Sequence, residues 1–146
     1  MEELTIHQAN SGYLTEIKKI LRSHNLPNDD IDDHIDNFIV AKINGSVIGV
    51  IGVQFFNKLA LLRSFGVINN YQHSGIGTIL YNEMLKKMKN QLISEVFLLT
   101  ISAESYFLKK GFNRIHRNIV PQKIKKSHEF KYACPSSAVC MKIILS

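Results

Sequence analysis

Apolar residues recur along the chain at two rhythms, every second position and every third or fourth, and the switches between them outline its elements. Leu4-Thr5-Ile6 reads as a short strand, and Leu14, Ile17, Ile20 and Leu21 then fall on one helical face behind a cap at Asn10 or Ser11. Residues 25–36, with Pro27 and five aspartates, predict a loop and a short polar helix outside the core that can border a site. Phe38 to Ile43, Asn44-Gly45 and Val47 to Phe55 predict a tight hairpin, because Asn-Gly supplies the two positive-φ residues such a turn requires. A second turn at Asn57-Lys58 leads into an apolar strand, Leu59 to Val67.

Gly75 to Lys89 places Ile76, Ile79, Leu80, Met84 and Met88 along one face of an amphipathic helix. Val96-Phe97-Leu98-Leu99 reads as a buried strand, Ala103 to Lys110 as a short helix ended by Gly111, Phe112 to Ile115 as a strand, and Ala138 to Leu145 as the last strand. The order β-α-(α)-β-β-β-α-β-α-β-β predicts an α/β layout around one mixed sheet. No repeat, low-complexity tract or linker divides the 146 residues, so a single domain over residues 1–146 is expected. Between Arg117 and Pro135 the pattern assigns no element.

Composition narrows the class of function. A 45% hydrophobic and 21% charged chain is ordinary for a globular domain, and no apolar run approaches the roughly 20 residues of a membrane span. Met1 to His7 do not read as a signal peptide, which leads to the expectation of a cytoplasmic protein with no membrane partner. Cys134 and Cys140 lack His or Cys partners at ligand spacing, so they read as free thiols and no metal is expected. The net charge of +6 is uneven, with aspartates early and basic residues from Lys109 to Lys131 late, a distribution that suits either the attraction of an anion or simply a solvated face. Aromatic residues are not interleaved with the basic ones, which favours a phosphorylated small molecule over nucleic acid.

The feature that suggests chemistry is the passage from the strand Leu59–Val67 through Gln72-His73-Ser74-Gly75-Ile76-Gly77 directly into the amphipathic helix. Amides at a helix N-terminus have no intrahelical acceptor and lie at the positive end of the helix dipole, so they can receive a phosphate oxyanion. Glycines at 75 and 77 allow a close approach, although glycines at a helix start also serve packing alone. The loop lacks the Lys-Ser/Thr ending of a Walker sequence, and hairpins rather than a βαβ unit precede it, so ATP and NAD are disfavoured.

Gln72-x-x-Gly75-x-Gly77, following Val67-Ile68-Asn69-Asn70-Tyr71, resembles the acetyl-CoA pyrophosphate motif of the GNAT superfamily of N-acetyltransferases. Ala103 to Phe112, ending in Gly111-Phe112, is similar to that family's helix beside the pantetheine arm. The resemblance implies a mostly antiparallel central sheet flanked by helices, with acetyl-CoA as cosubstrate and a small-molecule amine as acceptor. Self-association into a homodimer is left open. It also implies that Phe65, Gly66 and Val67 face the thioester and pantetheine, and that Gln72, His73, Ser74, Gly75, Ile76, Gly77 and Thr78 form the cofactor loop. The run Phe130 to Met141, with its Cys134-Pro135-Ser136-Ser137-Ala138 core, resembles a subgroup that is similar to N-acetylglutamate synthase and includes enzymes of arsenic-resistance clusters. The acceptor implied is the amino group of a small amino acid or an analogue; a protein or peptide acceptor, or a non-catalytic CoA-binding module, are the alternatives.

Two family landmarks are missing. Phe107 stands where many members carry the tyrosine that protonates the leaving thiolate, which leaves its neighbour Tyr106 as the candidate acid, with packing as its other reading. The strand Leu59-Ala60-Leu61-Leu62-Arg63-Ser64 lacks the glutamate that serves some members as a base. Arg63 within that apolar run needs a partner, and its planar fork suits an acceptor carboxylate; an edge arginine reaching solvent is the alternative. Ser64, Tyr132 and Ser136 are the further acceptor candidates, against a turn-capping role for the last.

Overall fold

The computed structural model describes residues 3–133 and 137–145. Its regular elements are β1 (Leu4–Gln8), α1 (Leu14–Ser23), β2 (Ile39–Ile43), β3 (Ser46–Phe56), β4 (Leu59–Val67), α2 (Ile76–Asn90), β5 (Glu95–Thr100), α3 (Glu104–Lys109), β6 (Asn113–Ile115), α4 (Gln122–Lys125) and β7 (Val139–Ile144). The strands make one sheet in the order β1-β2-β3-β4-β5-β7-β6, antiparallel throughout except between β4 and β5. This is the α/β layout around one mixed sheet that the hydrophobic pattern called for, and the sheet is mostly antiparallel, as the family resemblance implied. The hairpin turn is as expected, with Asn44 at φ 53° and Gly45 at φ 80° between β2 and β3.

Strand alternation divides the core between the two faces of the sheet. Val40 and Val50 pack under α1 through Ile17, Ile20 and Leu21, while Ala41 and Ile51 pack under α2 through Leu80, Met84 and Met88. Two sequence expectations need correction here. Ile79 is exposed and Tyr81 is buried, because the i, i+4 row Ile76-Leu80-Met84-Met88 sets the inward face of α2 and Tyr81 flanks it. The aspartate-rich stretch also contributes to the core: in the 3-10 turn Ile31–Asn37, Ile31 and Ile35 are buried four residues apart while the acids point away. Phe38 follows immediately, with its ring over Gly52, where an added Cβ would lie 2.5 Å from the ring carbons.

The stretch without a readable pattern forms a third, small core. Pro121 starts α4, and Val120, Ile124 and Phe130 pack on Leu61, Phe97 and Cys140. A π-turn, Glu129–Ala133, follows α4. With Phe130 anchored in this core, the preceding residue is carried toward β4.

Candidate active site

The site begins where the sheet opens. The parallel pair β4 and β5 matches only at Leu59↔Glu95, Ala60↔Val96 and Leu61↔Phe97, and the two strands then part. Opposite, β4 carries one residue more than β3: Val50 pairs with Gly66 and Gly52 with Arg63, so Ser64 and Phe65 both oppose Ile51. Ser64 takes the left-handed conformation (φ 56°) that this bulge requires. Between the diverging strands lies a cleft of about 970 Å³, lined along one wall by Leu62 to Val67 and along the other by Leu98 to Ala103.

Two side chains fix the end of β4. The Val67 carbonyl accepts from His24 Nε2 at 2.8 Å and from Gln72 Nε2 at 3.0 Å, which ties the end of α1 and the start of the loop to one backbone group. A Cβ on Gly66 would lie 3.1 Å from His24 Cδ2 and 3.4 Å from Ile20 Cγ2. The missing side chain at 66 thus lets α1 pack closely, in addition to any approach from the cleft.

The loop expected to cradle a pyrophosphate leads into α2. His73 (φ 63°) and Gly75 (φ 87°) both adopt left-handed conformations, alternating with ordinary ones. The Ser74 hydroxyl donates to the Tyr71 carbonyl. The first helical bond runs from the Ile79 amide to the Gly75 carbonyl, leaving the amides of Ile76, Gly77 and Thr78 at the open helix end. Gln72, His73, Gly75, Gly77 and Thr78 line the cleft, and the Ile76 side chain turns into the core, so that residue can offer only its backbone. A Cβ at Gly77 would touch the Phe65 ring at 3.4 Å. Tyr106, on α3, shares a hydrogen bond of 3.0 Å with the Thr78 hydroxyl, and its ring stands edge-on to Phe65 at 6.0 Å.

At the other end of the cleft, Arg63 and Ser64 are buried polar residues. The Arg63 fork, expected to be open to an acceptor carboxylate, is filled: Nη1 donates to Asp30 Oδ2 at 2.6 Å, Nη2 to Asp30 Oδ1 at 2.5 Å, and Nε to Ser64 Oγ at 3.1 Å. Burial opposes charge on Asp30, but the Arg63 hydrogen bonds and charge outweigh it and hold the carboxyl below its ordinary value. Burial, then the nearby Arg63 charge, pushes the His34 imidazole down, so its 3.7 Å approach to Asp30 joins a neutral ring at neutral pH. Glu129 also lines the cleft and is buried, with Oε1 3.8 Å from Arg63 Nη2. Asp29, Asp30 and His128 bring donor atoms within 4.8 Å of one another, but Arg63 already supplies the positive charge there. Neither Asp30 nor Glu129 was singled out in the sequence.

Of the remaining acceptor candidates, Tyr132 belongs to the π-turn with its side chain outside the described residues, and Ser136 lies outside them, as does Cys134. Cys140 is buried beneath Phe130 and Ile124, and burial pushes its thiol up to about 11, so it stays protonated and unreactive at neutral pH.

The open pair of strands and the helix-end loop face one cleft. Residues 4–112 match the family described as acetyltransferase (GNAT). The chain belongs to the GNAT acetyltransferase family. It is 30% identical over 141 residues to an N-acetyltransferase of Chlorobaculum tepidum, covering 96% of this chain and 86% of that one. Among solved structures, N-acetylglutamate synthase from Neisseria gonorrhoeae, complexed with coenzyme A and L-arginine, superposes with a TM-score of 0.83 at 20% identity. That match covers 97% of this chain, which spans only 33% of the synthase's length. Rv2747 from Mycobacterium tuberculosis, in complex with CoA, superposes with a TM-score of 0.82 at 19% identity over 97% of this chain and 99% of its own. At these identities the superpositions establish the fold. Family and fold together make this GNAT protein an acetyl-CoA-dependent N-acetyltransferase, with acetyl-CoA as cosubstrate.

Proposed function

We propose that this acetyltransferase, working as a single cytoplasmic domain, acetylates the amino group of a small molecule, an amino acid or an analogue of one. The observation that carries the reading is the shape of the acceptor end. His24 to Pro27 wall one side of the cleft, Leu99 to Ser102 the other, and Glu129 stands beyond Arg63, a half-open pocket of a size that suits a small molecule. The likeness to N-acetylglutamate synthase and the C-terminal Cys-Pro-x-Ser-Ala pattern support an amino-acid acceptor. With its fork on Asp30, Arg63 acts as a strut of the acceptor wall, and recognition of a carboxylate falls to groups from the C-terminal segment.

In this reading the amides of residues 72–77 receive the pyrophosphate, aided by the helix dipole of α2. The peptide groups of Phe65, Gly66 and Val67 line the pantetheine and thioester. Tyr106, bonded to Thr78, protonates the departing thiolate. Thiol release from acetyl-CoA tests the acceptor class, with the free amino acids and their phosphonate and arsenical analogues as one set and N-terminal peptides as another. Turnover of a free amino acid or analogue is expected; turnover of peptides alone would refute the small-molecule reading.

A further inference from the structure

The acceptor end of the cleft has apolar side chains on both walls. One wall follows α1, where Asn25 takes the left-handed conformation (φ 56°) and the Leu26 amide reaches back to the Leu21 carbonyl at 2.8 Å. That reversal ends the helix and brings Leu26 and Pro27, both half-buried, to the cleft. The other wall follows β5, where Leu99 is half-buried and Ile101 is 63% exposed. The loop carrying Ile101 is fixed, since Thr100 Oγ1 accepts from the Ala103 amide at 2.9 Å. Ile79, Leu92, Leu108, Ile119 and Ile144 are the other large apolar side chains left exposed among the described residues, and none of them lines the cleft.

Positive charge at this end is already engaged. Arg63 is matched by Asp30, which accepts a hydrogen bond from each terminal nitrogen. His24 donates from Nε2 to the Val67 carbonyl, and no lysine lines the cleft among the described residues. Glu129, which also lines it, is acidic. The run Tyr132 to Ser137, to which recognition of the acceptor's carboxylate falls in the reading above, contains no lysine, arginine or histidine. It offers hydroxyl and amide donors for one carboxylate but no cation for a second. A carboxylate drawn out of water without a counter-charge is heavily penalised, whereas an alkyl or thioether chain gains by covering apolar surface such as that of Ile101.

We infer that the acceptor is an amino acid with an uncharged, apolar side chain, and that Ile101 receives that side chain. The inference rests on the small-molecule reading and narrows it: a dicarboxylic acceptor would bring one carboxylate more than the cleft can match.

The test follows thiol release from acetyl-CoA with methionine, glutamine and glutamate, whose side chains are of similar length and differ in polarity and charge. The kcat/KM values are expected to fall in that order, with methionine above glutamate by about tenfold or more, an effect of the size that one methylene has in an apolar pocket, ~10–200-fold. Ile101→Arg sets a guanidinium at the mouth and should cut the methionine-to-glutamate ratio by about tenfold or more. Ile101→Ser should lower kcat/KM by about tenfold with methionine and by less than about threefold with alanine, whose methyl group has little contact to lose. Ile101 is exposed, so both variants keep the core intact and the KM for acetyl-CoA unchanged. A preference for methionine over glutamate of less than about tenfold, a ratio that Ile101→Arg leaves unchanged, or equal losses with methionine and alanine in Ile101→Ser would overturn the inference while free amino acids remain substrates. Turnover of N-terminal peptides alone would remove the small-molecule reading itself, and the inference with it.

Discussion

Asp30→Asn is the substitution for which the structure gives the sharpest expectation. Arg63 is 3% exposed, and both of its terminal nitrogens rest on the Asp30 carboxylate. Asparagine keeps the shape but removes the charge and one of the two acceptors, which leaves a guanidinium in the core with its counter-charge gone. Breaking a buried pair from one side costs about 3–5 kcal/mol. Here the lower end applies, about 3 kcal/mol, because Glu129 remains 3.8 Å from Nη2. For a chain of this size that loss lowers the melting temperature by roughly 6–12 °C. Urea titration should show an earlier midpoint at unchanged slope, and added salt should alter the difference little, since the pair is shielded from solvent ions.

The acid limb gives an independent check with a fixed sign. The folded pKa of Asp30 lies below its ordinary 3.8, so its stabilising contribution is complete above that value and disappears as pH falls through the lower folded one. The gap between wild type and Asp30→Asn should therefore narrow in that acidic window. A stability loss under about 1 kcal/mol at neutral pH, or a gap that widens on acidification, would refute the argument that the pair is buried and coupled.

Gly75→Asp and Gly77→Asp should each abolish measurable acetyl-CoA binding in calorimetry while the fold survives, because each places a carboxylate where the pyrophosphate must approach the helix end; unchanged affinity would disprove the cradle. Tyr106→Phe leaves the ring contact with Phe65 in place and removes only the hydroxyl bonded to Thr78, so turnover should fall about a hundredfold or more at constant acetyl-CoA affinity if that hydroxyl protonates the thiolate. A fall of less than tenfold would confine Tyr106 to packing.

Local features of this chain were legible in its sequence, and features built across long separations were not. Asn44-Gly45 and the apolar rows of β2, β3 and β4 announce themselves within a few residues, as does the passage from β4 into the glycine-containing start of α2. The partner of Arg63 lies 33 residues upstream in a stretch that composition alone marks as solvent-facing. Its burial depends on Ile31 and Ile35 turning that stretch inward, at a spacing too short to stand out. Glu129 follows a four-residue helix and opens a π-turn, neither long enough to produce a periodic signal. Its position is set by Phe130, whose apolar partners come from four separate elements.

The short parallel contact between β4 and β5 makes the sheet mechanically two blades riveted at one end. Three residue pairs and the bond from the Ser94 amide to the Lys58 carbonyl, at 2.7 Å, close the rivet, while the opposite end gapes. A ligand bonded to both blades takes the place of a missing strand, and part of its affinity is the pairing that the sheet left unmade. By mass action the same ligand returns that energy as resistance to unfolding, so the blades should be hardest to separate when the cleft is full.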